Sequence, residues 1–99
     1  MTDIMFERTG GFMGRKVSLK LDLDDLPHDQ AKNLKHLLEG ADFFSLPENL
    51  ITRPVPDEFT YIITVEDDDH RKTIRVSDTT APDALRPLIA ELSQRARAR

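Results

Sequence analysis

Hydrophobic side chains alternate with polar ones at period two in two parts of this chain and recur at helical spacing in two others. The clearest alternation runs from Phe59 to Ser77. Phe59, Tyr61, Ile63 and Val65 share one face, and Thr60, Ile62 and Thr64 share the other; in the return, Ile74 and Val76 alternate with Thr73, Arg75 and Ser77. With the acidic stretch Glu66 to His70 between them, the two runs predict a β-hairpin with one face built for a core and one mixed, threonine-rich face. A second hairpin is predicted upstream. Ile4 and Phe6 alternate within Asp3 to Arg8, and Val17, Leu19, Leu21 and Leu23 alternate within Lys16 to Leu23. The glycine-rich loop Gly10-Gly11-Phe12-Met13-Gly14 lies between them.

Helical spacing follows each hairpin. After Pro27, the positions Ala31, Leu34, Leu37, Leu38 and Ala41 form one apolar stripe, and the helix is expected to stop near Gly40. Near the end, Leu85, Leu88, Ile89, Leu92 and Ala96 form another. Pro87 is compatible with it if a short turn over 81–84 precedes a helix beginning close to Leu85, since the first turn needs no N–H donor. Thr80, with Asp83 three residues on, resembles a capping box. Between the halves, Asp42 to Glu58 is irregular; Phe43, Phe44 and Leu46 are expected to pin it to the core. The order is β-β-α-β-β-α, which predicts an α+β fold of two layers: a four-stranded, mostly antiparallel sheet with two helices on one face.

The loops then sort into two groups. If short connections reverse direction, Gly10–Gly14 and the 42–58 connection share one end of the sheet. Asp22 to Leu26 and Glu66 to His70 share the other and make it acidic.

Length and composition narrow the function. A chain of 99 residues is one domain, 1–99, able to bury roughly 60–70% of the surface its unfolded form exposes. It has no cysteine, which removes disulfides, thiolate metal sites and cysteine nucleophiles, and suits a reducing compartment. The first eight residues carry charges and no apolar core of a signal peptide, and no apolar run is long enough to span a bilayer, so the reading is cytoplasmic and without membrane. With 14 basic and 18 acidic residues the net charge is −4, which gives no reason to expect nucleic acid. Arg95, Arg97 and Arg99 read first as charge complementing the dipole at a helix C-terminus that then frays, and only as a distant second as an anion-binding arm.

Candidate chemistry is sparse. His28 and His36 are eight residues apart, not the i, i+4 pair that binds zinc, and His70 beside Asp69 reads as a surface ion pair. Asp67-Asp68-Asp69 lacks the alternate spacing and closing glutamate of a calcium loop. The glycine loop has no Walker lysine and does not lead from a strand into a helix. These exclusions predict no catalytic residue, no metal site and no cofactor. Phe12 and Met13, flanked by glycines, are either a core plug or a displayed anchor.

One resemblance covers nearly the whole chain. Phe6-Glu7-Arg8-Thr9-Gly10-Gly11-Phe12-Met13-Gly14, Leu26-Pro27, Asp42-Phe43-Phe44-Ser45-Leu46-Pro47, Phe59 to Asp67, Arg75-Val76-Ser77-Asp78 and Leu85-Arg86-Pro87-Leu88, in that order, resemble the emfourin family of bacterial proteins. Thr9 stands where that family usually has serine, and Met13 where it usually has alanine. The resemblance implies a proteinaceous inhibitor, not an enzyme, whose partner is a thermolysin-like (M4) zinc metalloprotease. Such proteases favour a large apolar residue after the cut, and their zinc accepts a carboxylate in place of water. Asp22-Leu23-Asp24-Asp25-Leu26 offers both and is the expected wedge into the cleft, with Leu23 or Leu26 in the apolar pocket and an aspartate at the zinc. Gly10, Gly11, Phe12 and Met13 are the second choice. Against the first choice, Leu23 and Leu26 also read as core residues at a strand end and a hydrophobic staple. Free of its partner the protein is expected to be a monomer. The alternative is a non-catalytic module that docks or dimerises through Thr60, Ile62, Thr64, Thr73 and Arg75 on the mixed sheet face.

Overall fold

The computed structural model describes residues 2–10, 16–51 and 58–97. Four strands, β1 (Thr2–Gly10), β2 (Val17–Asp22), β3 (Phe59–Asp67) and β4 (His70–Ser77), form one sheet in the order β2-β1-β3-β4, antiparallel throughout. The helices are α1 (His28–Ala41) and α2 (Arg86–Arg97), so the α+β order read from periodicity holds. Register explains why β1 is central. Ile4 lies between Leu21 and Val65, Phe6 lies between Leu19 and Ile63, and Ile63 faces Ile74 on the far strand. These same-face rows are the unit of sheet stabilisation, and Ile4, Ile63, Val65 and Ile74 are wholly buried. From the helices, Leu34, Leu38, Leu88 and Leu92 complete the core.

On the other face Thr64 and Thr73 share a hydroxyl hydrogen bond of 2.9 Å, Ile62 is half-buried and Arg75 is exposed. Asp68 and Asp69 alone form the β3–β4 turn, tighter than the Glu66 to His70 loop expected from sequence, with Asp67 and His70 already paired and Asp68 at a positive φ of 52°. Primed hairpin turns require that geometry, and aspartate tolerates it.

Helix boundaries depart from the sequence reading at one point. Gly40 lies inside α1; the left-handed exit is made by Asp42 (φ 50°, ψ 51°), whose N–H donates to Glu39 and Leu38 carbonyls. Its carboxylate accepts the Ser45 hydroxyl at 3.0 Å, the local bond that lets aspartate take a glycine's place. Ahead of α2, a 3-10 turn over Asp83–Leu85 puts Pro87 at the second helical residue, as its missing donor requires. Thr80 does not cap toward Asp83. Its hydroxyl accepts the Ser77 N–H at 2.9 Å and meets the Ser77 hydroxyl at 3.0 Å, which closes the turn leaving β4.

The connection after α1 also runs differently from expectation. It begins at the acidic end of the sheet, because α1 delivers Leu38, Glu39 and Asp42 beside Thr2, Val65 and Asp67. In the 3-10 turn Phe43–Ser45, Phe43 is buried, but Phe44 is 42% exposed and stands edge-on to Phe43 and to His70, with ring centroids at 5.8 and 6.2 Å. Phe44 is therefore not core, and His70 meets a ring where an ion pair with Asp69 was expected. Leu46 and Leu50 pack half-buried on the core. Between them the chain climbs alongside β4: Leu50 N–H donates to the Arg75 carbonyl and Arg75 N–H to the Glu48 carbonyl, both at 2.8 Å. Pro54, Val55 and Pro56 lie outside the described residues.

Candidate functional site

Two ends of the sheet carry different chemistry. At one, Asp3 is paired with Asp22 on one side and Glu66 on the other, so the acidic loops share an end as loop order predicts. The Thr2 hydroxyl donates to Asp67 at 3.1 Å, and Arg71 pairs with Glu66 at 3.1 Å. A cleft of about 540 Å³ opens there, lined among others by Lys35, Glu39, Asp42, Phe44, Asp67 and Asp68. Phe44 supplies its exposed apolar wall.

The stretch Asp22–Leu26 is a tight 3-10 turn over Leu23–Asp25. The Asp22 carboxylate accepts the Asp24 N–H at 2.9 Å, and the Leu26 N–H donates to the Leu23 carbonyl at 3.2 Å. Leu23 is only 2% exposed and belongs to the core, as the alternation from Val17 onward requires, so it anchors the turn from beneath. Asp24 and Asp25 point to solvent, and Leu26 is half-buried between them and the core. What the turn displays is thus two carboxylates beside part of one leucine, on a backbone held by its own hydrogen bonds.

Gly10 sits at the opposite end. It closes β1 at φ 97°, and a side-chain Cβ there would stand 2.7 Å from the Glu58 carbonyl oxygen. Gly11, Phe12, Met13 and Gly14 lie outside the described residues. Seven residue-to-residue steps along β1 separate the Asp3 and Gly10 levels, roughly 24 Å at a strand's usual rise.

Next to Gly10 lies a bonded group that sequence reading did not single out. Asp78 reaches back to the start of β3, its carboxylate accepting the Phe59 N–H at 3.0 Å and the Tyr61 hydroxyl at 2.7 Å. The Thr79 side chain and N–H hydrogen-bond Glu58 and hold its carboxyl below the usual carboxylate range. Arg8 lies over the Phe59 ring, 4.7 Å from its centre, and Phe6 stacks on Tyr61 at 6.1 Å.

Burial, then the hydrogen bond to Asp78 and the Asp78 charge, push the Tyr61 hydroxyl up to about 12, while Arg8 and Arg86 pull the other way. The shift keeps the neutral phenol in the folded state. Its contribution to stability is therefore full below pH 10, the ordinary value, and is lost as pH rises toward 12. Tyr61 is the chain's one tyrosine and there is no tryptophan, so ultraviolet absorbance of the tyrosinate reads it directly. The expected midpoint is about 12 in the wild type and lower in Asp78→Asn; a wild-type midpoint near 10 contradicts the arrangement.

Among the described residues no three histidine, cysteine, aspartate or glutamate side chains converge to hold a metal ion, and no helix is long and apolar enough to cross a membrane. The described residues gather carboxylates and the Phe44 ring at one end, and Gly10 and arginine at the other.

Comparison with known proteins agrees with this picture. The model of the Emfourin family matches residues 6–93. Among solved structures, the chain is similar to emfourin from Serratia proteamaculans, an M4 family peptidase inhibitor, with 21% sequence identity and a TM-score of 0.50 over 88% of this chain and 84% of that one. At that identity the structural match speaks to the fold alone. No curated protein matches the sequence.

Proposed function

This chain belongs to the emfourin family, and from that premise we propose that it is a protein inhibitor of thermolysin-like (M4) zinc metalloproteases. The observation that carries the reading is the family match over 6–93, which spans β2, β3, β4 and α1 whole, the greater part of β1 and of α2, and every loop discussed above. The protein performs no reaction itself. It blocks the active-site cleft with an exposed loop, and the Asp22–Leu26 turn is the better candidate.

Three features support that turn. Asp24 and Asp25 are exposed and stand at the end of the sheet where the other carboxylates collect, so the approaching surface is attracted to a zinc-bearing cleft. The turn is held by its own hydrogen bonds and by Leu23 in the core, so little conformational entropy is lost on docking. Leu26 retains enough exposure to meet an apolar pocket once the turn is seated. The Gly10 to Met13 loop stands as the second choice. We also place the free protein as a monomer in a bacterial cytoplasm, a reading supported by a sequence without cysteine, for which a reducing compartment is harmless.

The test is titration of the purified protein against a thermolysin-like protease acting on a small peptide substrate. Activity is expected to fall with added inhibitor and to vanish near equivalence. Full protease activity at saturating excess overturns the proposal. In that event the mixed sheet face around Ile62 and Arg75 becomes the leading interaction surface, and concentration-dependent dimerisation measures it.

A further inference from the structure

Helix α2 turns a stripe of small and cationic residues toward the strand ends at the arginine-rich side. Arg86, Ala90, Ser93 and Arg97 follow one another at spacings of three and four, so they lie on one face. With Arg8 of β1, Tyr61 of β3 and Asp78 they line a cavity of about 290 Å³. The small side chains of Ala90 and Ser93 leave the space, and three guanidinium groups, one from β1 and two from the ends of α2, rim it.

Its charges are unequally matched. Among the described residues Asp78 is the one carboxylate lining the cavity, and both its oxygens are occupied, by the Phe59 N–H and the Tyr61 hydroxyl. Arg86 is partly engaged, donating to the Asp78 carbonyl at 3.0 Å and to Asp83 at 3.4 Å. Arg8 rests over the Phe59 ring and Arg97 is exposed; among the described residues neither pairs with a carboxylate. In the wall between them Ser93 is 9% exposed, and its hydroxyl is buried without any hydrogen-bond partner. A buried hydroxyl left unpaired costs stability, and such groups in native proteins call for an explanation such as a missing ligand.

We propose that this cavity binds a small oxyanion, a phosphate- or carboxylate-bearing molecule. Arg8 and Arg97 supply the charge, and the Ser93 hydroxyl donates the buried hydrogen bond. Guanidinium forks match the oxygens of either group, and both bonds are charge-assisted. The volume holds roughly ten waters, enough for the anionic group and a small organic body. Arg8 lies at the opposite end of β1 from the Asp22–Leu26 turn, so occupancy does not compete with that turn.

The experiment is amide-resolved NMR titration of the full chain at pH 7, with inorganic phosphate in one arm and citrate in the other, ionic strength held constant with sodium chloride. Saturable shifts are expected at Arg8, Ser93 and Arg97, and the tighter arm identifies the class of anion. Ser93→Ala removes a hydroxyl that has no partner, so it is expected to fold normally and to bind less tightly. The Arg8→Gln, Arg97→Gln double variant is expected to lose at least about tenfold in affinity. Absence of saturation in both arms, or shifts undiminished in the double variant, overturns the proposal. Protease inhibition is not the readout, so either reading can fail without the other.

Discussion

Reversing the charge of the turn, as Asp24→Lys together with Asp25→Lys, is expected to weaken inhibition of a thermolysin-like protease by about 2–4 kcal/mol, thirtyfold or more in the inhibition constant. Both side chains are exposed, and the turn's own bonds use the Asp22 carboxylate and backbone groups, so the fold has no stake in either charge. Circular dichroism and the melting temperature should therefore stay as in the wild type, while the inhibition constant moves. The cause is local. A catalytic zinc and the positive potential around it attract a carboxylate that takes the place of bound water, and an ammonium group there is repelled. Asp22→Asn separates preorganisation from charge, because it keeps an acceptor for the Asp24 N–H while removing one negative charge, and a smaller loss is expected. If the double variant inhibits within about threefold of the wild type, which is under 1 kcal/mol, this turn is not the wedge and the loop following Gly10 takes its place.

Gly10→Ala is expected to destabilise the protein by about 2–4 kcal/mol, a large share of the roughly 5–15 kcal/mol of a typical domain. Two costs add. A φ of 97° is one that L side chains rarely adopt, and the new methyl would meet the Glu58 carbonyl oxygen at 2.7 Å, where the obstacle is backbone and cannot swing aside. Relief requires β1 and the start of β3 to part, just where Phe59 pairs with Gly10 and is tied to Asp78. Thermal unfolding followed by circular dichroism should show a melting temperature lower by roughly 10–25 °C. A drop of only a few degrees would mean that the strands end differently. Weaker inhibition in this variant would report damage to the scaffold, so a contact made by that loop is better tested at Phe12 or Met13.

Much of the scaffold was legible because its signals are local and periodic. The alternation Phe59, Tyr61, Ile63, Val65 answered by Ile74 and Val76 could fold as little other than a half-buried hairpin, and the missing N–H of Pro87 fixed where α2 could begin. What escaped depends on neighbours that lie far away in sequence. Phe43 and Phe44 look alike in the sequence, yet consecutive residues of a 3-10 turn point about 120° apart, so only one of them can face the core. The helix exit passed from Gly40 to Asp42 because Ser45 happens to satisfy the Asp42 carboxylate. The course of 42–51 followed from where α1 ends, which no short-connection rule contains.

The candidate site divides the same way. The residue types of Asp22–Leu26 announced charge beside apolar bulk, and the strand alternation already marked Leu23 as inward-facing. The cavity at the other end draws Arg8, Tyr61, Asp78, Ser93 and Arg97 from strands, a turn and a helix, and a lone serine on an amphipathic helix gives no sequence signal that its hydroxyl will be left unpaired.

The segment that bonds to Arg75 has a bearing on how the molecule meets extended peptides. A free sheet margin is a template for strand addition by any extended chain. With Glu48 and Leu50 occupying the outward N–H and C=O groups of Arg75, toward the end of β4, a foreign peptide cannot run a continuous ladder along the whole strand. Polymerisation through that margin is interrupted by the protein's own backbone, which leaves the short β2, leading directly into the acidic turn, as the side from which an extended chain could be engaged.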